Sequence, residues 1–443
     1  MNSLTNNSQL NVSSISFSSK AILIIAVLMG GCMVDIDDTV TETQTLQTTS
    51  DELRYYRAQG DVVQITTGYQ HACARTSTGR LYCWGDTTYG TVGTGVLGER
   101  QEVAGSCLTR NVAVVANPRR VRLSGVVDVA AGAQHTCAVT NDGSAYCWGS
   151  GRFGQLGRSD AAGECAVPSA VPVEVEAPSV RFVQIEAGDS YTCALSDTGE
   201  MYCWGRNYGQ FGISQRTLPS SFTPTATGRH FSSITGGPFH LCGSERNGRG
   251  YCLGANDNRQ VSDEVTNYVS EPTFVGYADD FALGHYHTCT LDVGRAQCWG
   301  DDSQEQLGDD LSSFDFFSIS GGRGHSCALE YFDNMVGGGE LGRAYCWGDN
   351  NVGQLGNGTT SRRDDPTPVE VRSSSYLTDI QSGSDFSCAI TVTRDAICWG
   401  GNIYGQLGNG ETSVYEAIPT TVVNLPSARS SLVAAPNFSS YFR

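Results

Sequence analysis

The stretch AQHTCAVTNDGSAYCWGSGRFGQLG, residues 133–157, decides the fold, because the chain repeats it. His135–Thr140 and Ser144–Trp148 read as strands, with Asn141-Asp142-Gly143 as the tight turn between them, glycine taking the positive-φ position. With Asp142 at the turn centre, Cys137 and Cys147 stand opposite each other. Facing residues on antiparallel strands have Cα atoms about 4.5–5.5 Å apart, within the reach of a disulfide. The spacing of nine residues between the cysteines thus predicts a bridge across one hairpin.

Six further units carry the pattern: GYQHACARTSTGRLYCWG (68–85), GDSYTCALSDTGEMYCWG (188–205), GPFHLCGSERNGRGYCLG (237–254), GHYHTCTLDVGRAQCWG (284–300), GRGHSCAL (322–329) continued after an insertion by GRAYCWG (342–348), and GSDFSCAITVTRDAICWG (383–400). Trp84 and Trp399 lie six steps apart, a period of about 52 residues, the mark of a repeat architecture in which each unit packs on its neighbours. The predicted bridges are Cys73–Cys83, Cys137–Cys147, Cys193–Cys203, Cys242–Cys252, Cys289–Cys298, Cys327–Cys346 and Cys388–Cys398. Of the 17 cysteines, Cys107 and Cys165 remain, each in the long connection after its own Trp-Gly, together with Cys32. Cys107 and Cys165 are expected to pair, two buried thiols being the alternative. This many cysteines without any Cys-x-x-Cys points to disulfides and an oxidising compartment rather than zinc.

Gly-x-x-His-x-Cys-Ala-Leu, a glycine turn, Tyr-Cys-Trp-Gly and then Gly-Gln-Leu-Gly together resemble the regulator of chromosome condensation repeat, over residues 61–425. The last element stands at Gly154–Gly157, Gly209–Gly212, Gly353–Gly356 and Gly405–Gly408, with variants at 90–93 and 305–308, and is lost in unit four. The resemblance implies an all-β, seven-bladed β-propeller with four strands per blade. AIPTTVVNLP (417–426) has no unit behind it. It is expected to complete the blade begun by Asp61–Cys73, closing the ring with N- and C-terminal strands and leaving 426–443 as a tail.

Upstream, AILIIAVLMGGCM (21–33) is too short an apolar run for a mature membrane span and fits a signal-peptide core. Gly30-Gly31-Cys32 resembles a bacterial lipoprotein signal, which implies cleavage after residue 31, lipid on Cys32 and residence in the cell envelope, outer membrane above all. Several acyl chains would anchor the chain firmly. Residues 32–60 read as an acidic tether. With 46 acidic against 28 basic residues, net charge −18, the chain offers no basic face for nucleic acid.

His71, His135, His240, His287 and His325 share one unit position, which Tyr191 and Phe386 fill elsewhere. A metal-ligand position would not accept Phe, so this column reads as packing. Trp84, Trp148, Trp204, Trp299, Trp347 and Trp399 read as packing between blades. Asp301, Asp302, Glu305, Asp309 and Asp310 match no calcium loop and read as a solvated acidic loop. No catalytic, metal or cofactor residue is assigned. Phe314, Phe316, Tyr331 and Phe332, in the loops 309–319 and 330–342, are the candidate binding anchors. The expected function is a non-catalytic, monomeric, lipid-anchored propeller that binds a protein or glycan through rim loops. A propeller resembling a secreted-enzyme inhibitor and a polysaccharide-acting propeller enzyme are the alternatives. Guanine nucleotide exchange, which the resemblance also suggests, sits badly with the signal, the disulfides and the acidity.

Overall fold

A computed structural model describes residues 60–98, 100–103, 106–109, 112–159, 168–331 and 341–426. Among the described residues the regular elements are strands, apart from 3-10 turns such as Leu311–Ser313. In each unit the first strand lines a central cavity and the sheet runs outward from it. Unit one uses Val62–Thr67, His71–Thr76, Leu81–Asp86 and Val114–Arg120, and units two, three and four repeat this antiparallel order. The hairpin is the fixed part: Cys faces Cys in every unit, with the His (or Tyr or Phe) two residues earlier facing the Gly after Trp.

The expectation of seven four-stranded blades needs correction. Of the sheets built from the repeat units, five stand alone, four of them four-stranded and that of unit five three-stranded. Units six and seven share one eight-stranded sheet, joined where Gly342 faces Leu377. The structure therefore has five discrete blades. The insertion inside the unit-six hairpin is the reason for the fusion. It lengthens the third strand to Gly342–Asn350, whose first residue reaches the inner strand Leu377–Ser382 of unit seven. Unit five is short because only 16 residues separate Trp299 from Phe316, too few for an outward strand and its return.

Ring closure also differs from expectation. The last strand, Tyr415–Thr421, pairs with Ala396–Gly401 of its own unit, and Val62–Thr67 pairs with His71–Thr76. Among the described residues no strand is exchanged between the two ends. The ends meet face to face: Val62, Ile65, Ala74 and Trp84 share one buried cluster with Phe386, Ile390 and Leu407. Trp84 Nε1 donates to the Gln406 carbonyl at 2.8 Å. The Pro- and Val-rich stretches need no such role, because the six at 114–120, 169–174, 220–230, 268–277, 361–370 and 415–421 are the outer strands of their own units.

All seven expected hairpin disulfides form, with Cα–Cα distances of 4.0–4.1 Å. Cys107 lies on Ser106–Thr109, which pairs with Arg100–Val103. The expected bridge to Cys165, the expected lipid site at Cys32, the expected leader and tether, and residues 427–443 lie outside the described residues.

The histidine column proves to be a chain of interblade hydrogen bonds. Nε2 of His71, His135, His240, His287 and His325 lies 2.7–2.9 Å from the hydroxyl of Thr136, Thr192, Thr288, Ser326 and Ser387 in the next unit. Each hydroxyl gives its single proton to a loop carbonyl: Thr91, Gln155, Gln260, Gln306 or Gln354. The same carbonyl accepts from the Trp indole N–H of that unit. Each hydroxyl must therefore accept from a histidine protonated on Nε2, and burial, which lowers these histidines to about 3 to 4, favours the neutral ring. The exceptions obey the same rule. Phe386 precedes unit one, where Ala72 replaces the hydroxyl. Tyr191 precedes unit four, where Leu241 does, and its own hydroxyl donates to the Gly237 and His240 carbonyls.

This gives a first prediction. His135→Phe leaves Thr192 bonded to Gln155 and fills the same volume, as Phe386 does. It is expected to cost no more than about 1 kcal/mol, whereas His135→Ala opens a cavity and costs about 3 kcal/mol. Urea unfolding of the two variants checks it, and equal losses would reject the relay.

Candidate functional site at the channel mouth

The inner strands of all seven units enclose a cavity of about 250 Å³. Its wall carries a belt of side chains, each tying one unit to the next. Gln64 donates to the Val129 carbonyl, Asp128 accepts from the Ile185 N–H at 2.8 Å, Gln184 grips both the N–H and the carbonyl of Ile234, and Asp280 accepts from the Ile319 N–H. Burial pushes these carboxyls up: Asp280 and Asp379 to about 6 and Glu186, beside Asp128, to about 8.

One end of the cavity is covered by residues that break the repeat. Each unit opens Gly-x-x-(His/Tyr/Phe), and the two x residues sit in the turn between the first and second strands. They read Tyr69-Gln70, Ala133-Gln134, Asp189-Ser190, Pro238-Phe239, His285-Tyr286, Arg323-Gly324 and Ser384-Asp385. Tyr69 of unit one stacks on His285 of unit five, ring centroids 4.7 Å apart, although these units are not neighbours. His285 meets Phe239 and Tyr286 edge-on at 6.0 and 5.9 Å, and Phe239 stacks on Tyr286 at 5.8 Å. Tyr208 extends the array, 5.4 Å from Phe239, and its hydroxyl donates to Asp189 at 3.3 Å.

Beside this array, the Arg206 guanidinium lies over Phe153 and Tyr208, 5.2 and 5.1 Å from their centroids, and Arg152 lies over the same Phe153 at 5.3 Å. Both arginines are exposed, and neither forms a salt bridge among the described residues. Burial beside Asp189 raises the Tyr69 hydroxyl well above the ordinary tyrosine range, and burial holds His285 down at about 3, so these two stacked rings are neutral at physiological pH. Rigid aromatics and a pre-oriented arginine, with Tyr286 still 39% exposed, make a surface suited to binding.

The anchors expected from sequence lie elsewhere. Phe316 is corrected outright: it is 1% exposed and stacks between Phe314 and Trp347. Phe314 packs under its own loop against Tyr345 at 5.0 Å. Tyr331 is exposed and touches only Phe317 among aromatic rings, at 4.9 Å. Phe332 lies outside the described residues. In the acidic loop, Asp301 accepts from Ser303 and Gln306 and Asp302 from the Leu307 N–H, so these two carboxylates fasten their own turn.

Residues 94–439 match the RCC1-like domain family and residues 62–91 the regulator of chromosome condensation (RCC1) repeat. The chain belongs to this family. It is 24% identical to Protein pim1 of Schizosaccharomyces pombe over 82% of this chain and 63% of that one. It is 26% identical to the Ultraviolet-B receptor UVR8 of Arabidopsis thaliana over 79% and 68%. It is 28% identical to the human E3 ubiquitin-protein ligase HERC2 over 56% of this chain, which spans only 5% of that protein. Among solved structures it resembles human WBSCR16, TM-score 0.65 at 19% identity, covering 78% of this chain and 94% of that one. The match to Prp20p of Saccharomyces cerevisiae has TM-score 0.65 at 20% identity, covering 84% and 89%.

Proposed function

We propose that the chain is a non-catalytic binding propeller of the cell envelope, tethered through lipid on Cys32, which engages a protein partner with the channel-mouth face. The observation that carries this is the Tyr69, Phe239, His285, Tyr286 and Tyr208 array with Arg206 beside it. These rings stand at positions where the repeat is not constant, and they join turns of units one, four and five. Support also comes from Prp20p, a structural neighbour described as binding Gsp1p and histones. The disulfides support the oxidising compartment. Asp128 and Asp280 accept from the Ile185 and Ile319 N–H groups of the next unit, a structural use of these carboxyls.

The test is capture of envelope and secreted proteins on the disulfide-bonded domain from residue 60, compared with Phe239→Ala/Tyr286→Ala and with Arg206→Ala. A specific partner is expected to be held by the parent and lost at least ~30-fold by the double variant, the scale of a paired aromatic hot spot. A partner retained by both variants would move the site off this face.

A further inference from the structure

Unit five has an open outer edge. In the other six units, an outer strand covers the third strand in one register. The residue facing the hairpin's second cysteine is Arg119, Val173, Thr225, Thr273, Val369 or Thr420. The residue facing the Gly after Trp is Val115, Ser169, Ser221, Val269, Asp365 or Glu416. Four residues thus span what two span on the partner, a bulge, and its third residue is always proline: Pro118, Pro172, Pro224, Pro272, Pro368 or Pro419. Proline belongs on an edge strand, where it removes a donor the sheet does not need.

No such strand covers Arg295–Gly300. Its only ladder among the described residues is to His287–Asp292. Cys298 and Trp299 are partly exposed, whereas Trp84, Trp148, Trp204, Trp347 and Trp399 are fully buried. The 3-10 turn Leu311–Ser313 and Phe314 lie alongside but form no ladder with it. No proline occurs between Trp299 and Phe316.

We propose that this edge accepts, as a missing outer strand, an extended segment of a partner protein with proline one residue before the one facing Cys298, and with basic flanks. An open edge is a template for strand addition. The six outer strands the chain supplies to itself define the shape that fits. Charge decides the flanks: Asp301, Asp302, Glu305, Asp309, Asp310 and Asp315 follow directly in the chain, against Arg295 on the strand itself and Arg259 in the preceding unit. Arg259 holds a left-handed conformation (φ 61°) where other units have the first Gly of Gly-Gln-Leu-Gly. Glu305 does the same (φ 58°) beside unit six, whose outer strand is present, so a side chain there is compatible with a strand. This surface is independent of the channel mouth.

The probe is a peptide copying Ser221–Ala226 with two lysines at each end, added to the intact disulfide-bonded protein. Saturating peptide is expected to slow amide hydrogen exchange within 295–300 at least ~10-fold, and to leave the channel-mouth turns unchanged. A peptide N-methylated on its ladder-forming amides is expected to give no protection. Asp309→Asn/Asp310→Asn/Asp315→Asn, all in an exposed loop, is expected to weaken binding at least ~5-fold. Equal binding of the methylated peptide, or protection confined to other strands, overturns the proposal. So does protection of 295–300 before peptide is added, which would assign the edge to a second copy or to this chain's own terminal segments.

Discussion

Reducing the hairpin disulfides is expected to unfold the propeller at 25 °C. Each bridge closes a loop of about ten residues, longer only for Cys327–Cys346 with a separation of 19. A loop of that size contributes about 2–3 kcal/mol through the unfolded chain. Seven such contributions match or exceed the ~5–15 kcal/mol by which a typical domain is stable. Packing adds a second cost, since most of these sulfurs lie in the interblade clusters with the Trp column. Thirteen of the fourteen cysteines are 0% exposed, and Cys298 is the exception. Reduction under native conditions should therefore be slow and ordered, beginning with Cys289–Cys298 at the open edge. Timed alkylation with mass spectrometry gives the order, and circular dichroism follows the fold. A reduced chain that kept its sheet signal and melting transition would show that the Trp and histidine networks suffice alone. An earlier opening elsewhere would show that the unit-five edge is covered.

The hairpin, its bridge and the repeat were legible because each depends on residues close in sequence: two cysteines, a turn and a constant spacing. The blade count was not, because it depends on what lies between the constant parts. The 16 residues from Trp299 to Phe316 leave unit five without an outer strand, and the insertion before Gly342 welds two units. Closure differs for a related reason. AIPTTVVNLP has no repeat unit behind it, yet each outer Pro-containing strand belongs to its own unit, and this one serves unit seven. The histidines are buried packing residues, and the sequence also carries their partners: His is followed in the next unit by Thr or Ser, whereas Tyr191 and Phe386 precede Leu241 and Ala72. The channel mouth was hidden by the alignment itself. Constant residues attract attention, and Tyr69, Phe239, His285 and Tyr286 occupy the two positions the repeat leaves free.

Stability should peak near pH 7 and fall steeply below pH 6, because two buried sets of groups pull in opposite directions. Burial lowers His71 and His287 to about 4 and His135, His240, His285 and His325 to about 3. In the unfolded chain these six titrate near 6.5. Below that value the unfolded state takes up protons the native state refuses, so their contribution is present above pH 6.5 and lost as the pH falls. The wall carboxyls act the other way. Glu186, near 8, and Asp280 and Asp379, near 6, hold protons in the native state that the unfolded chain has released. Their contribution grows as the pH falls through those values, and burial moves Asp128 in the same direction. From pH 8 to 7 Glu186 gives a slight gain. Below pH 6 the six histidines outnumber Glu186, Asp280 and Asp379 by about three protons, a loss of roughly 4 kcal/mol per pH unit, which the upward shift of Asp128 offsets in part. Urea midpoints from pH 4 to 8 measure the slope. Removing one histidine from the set, with His135→Phe, should reduce it by about one proton, ~1.4 kcal/mol per unit. A flat profile between pH 4 and 7, or an unchanged slope in that variant, would mean that the column takes up protons in the folded state. It could then not be the neutral relay on which the interblade contacts depend.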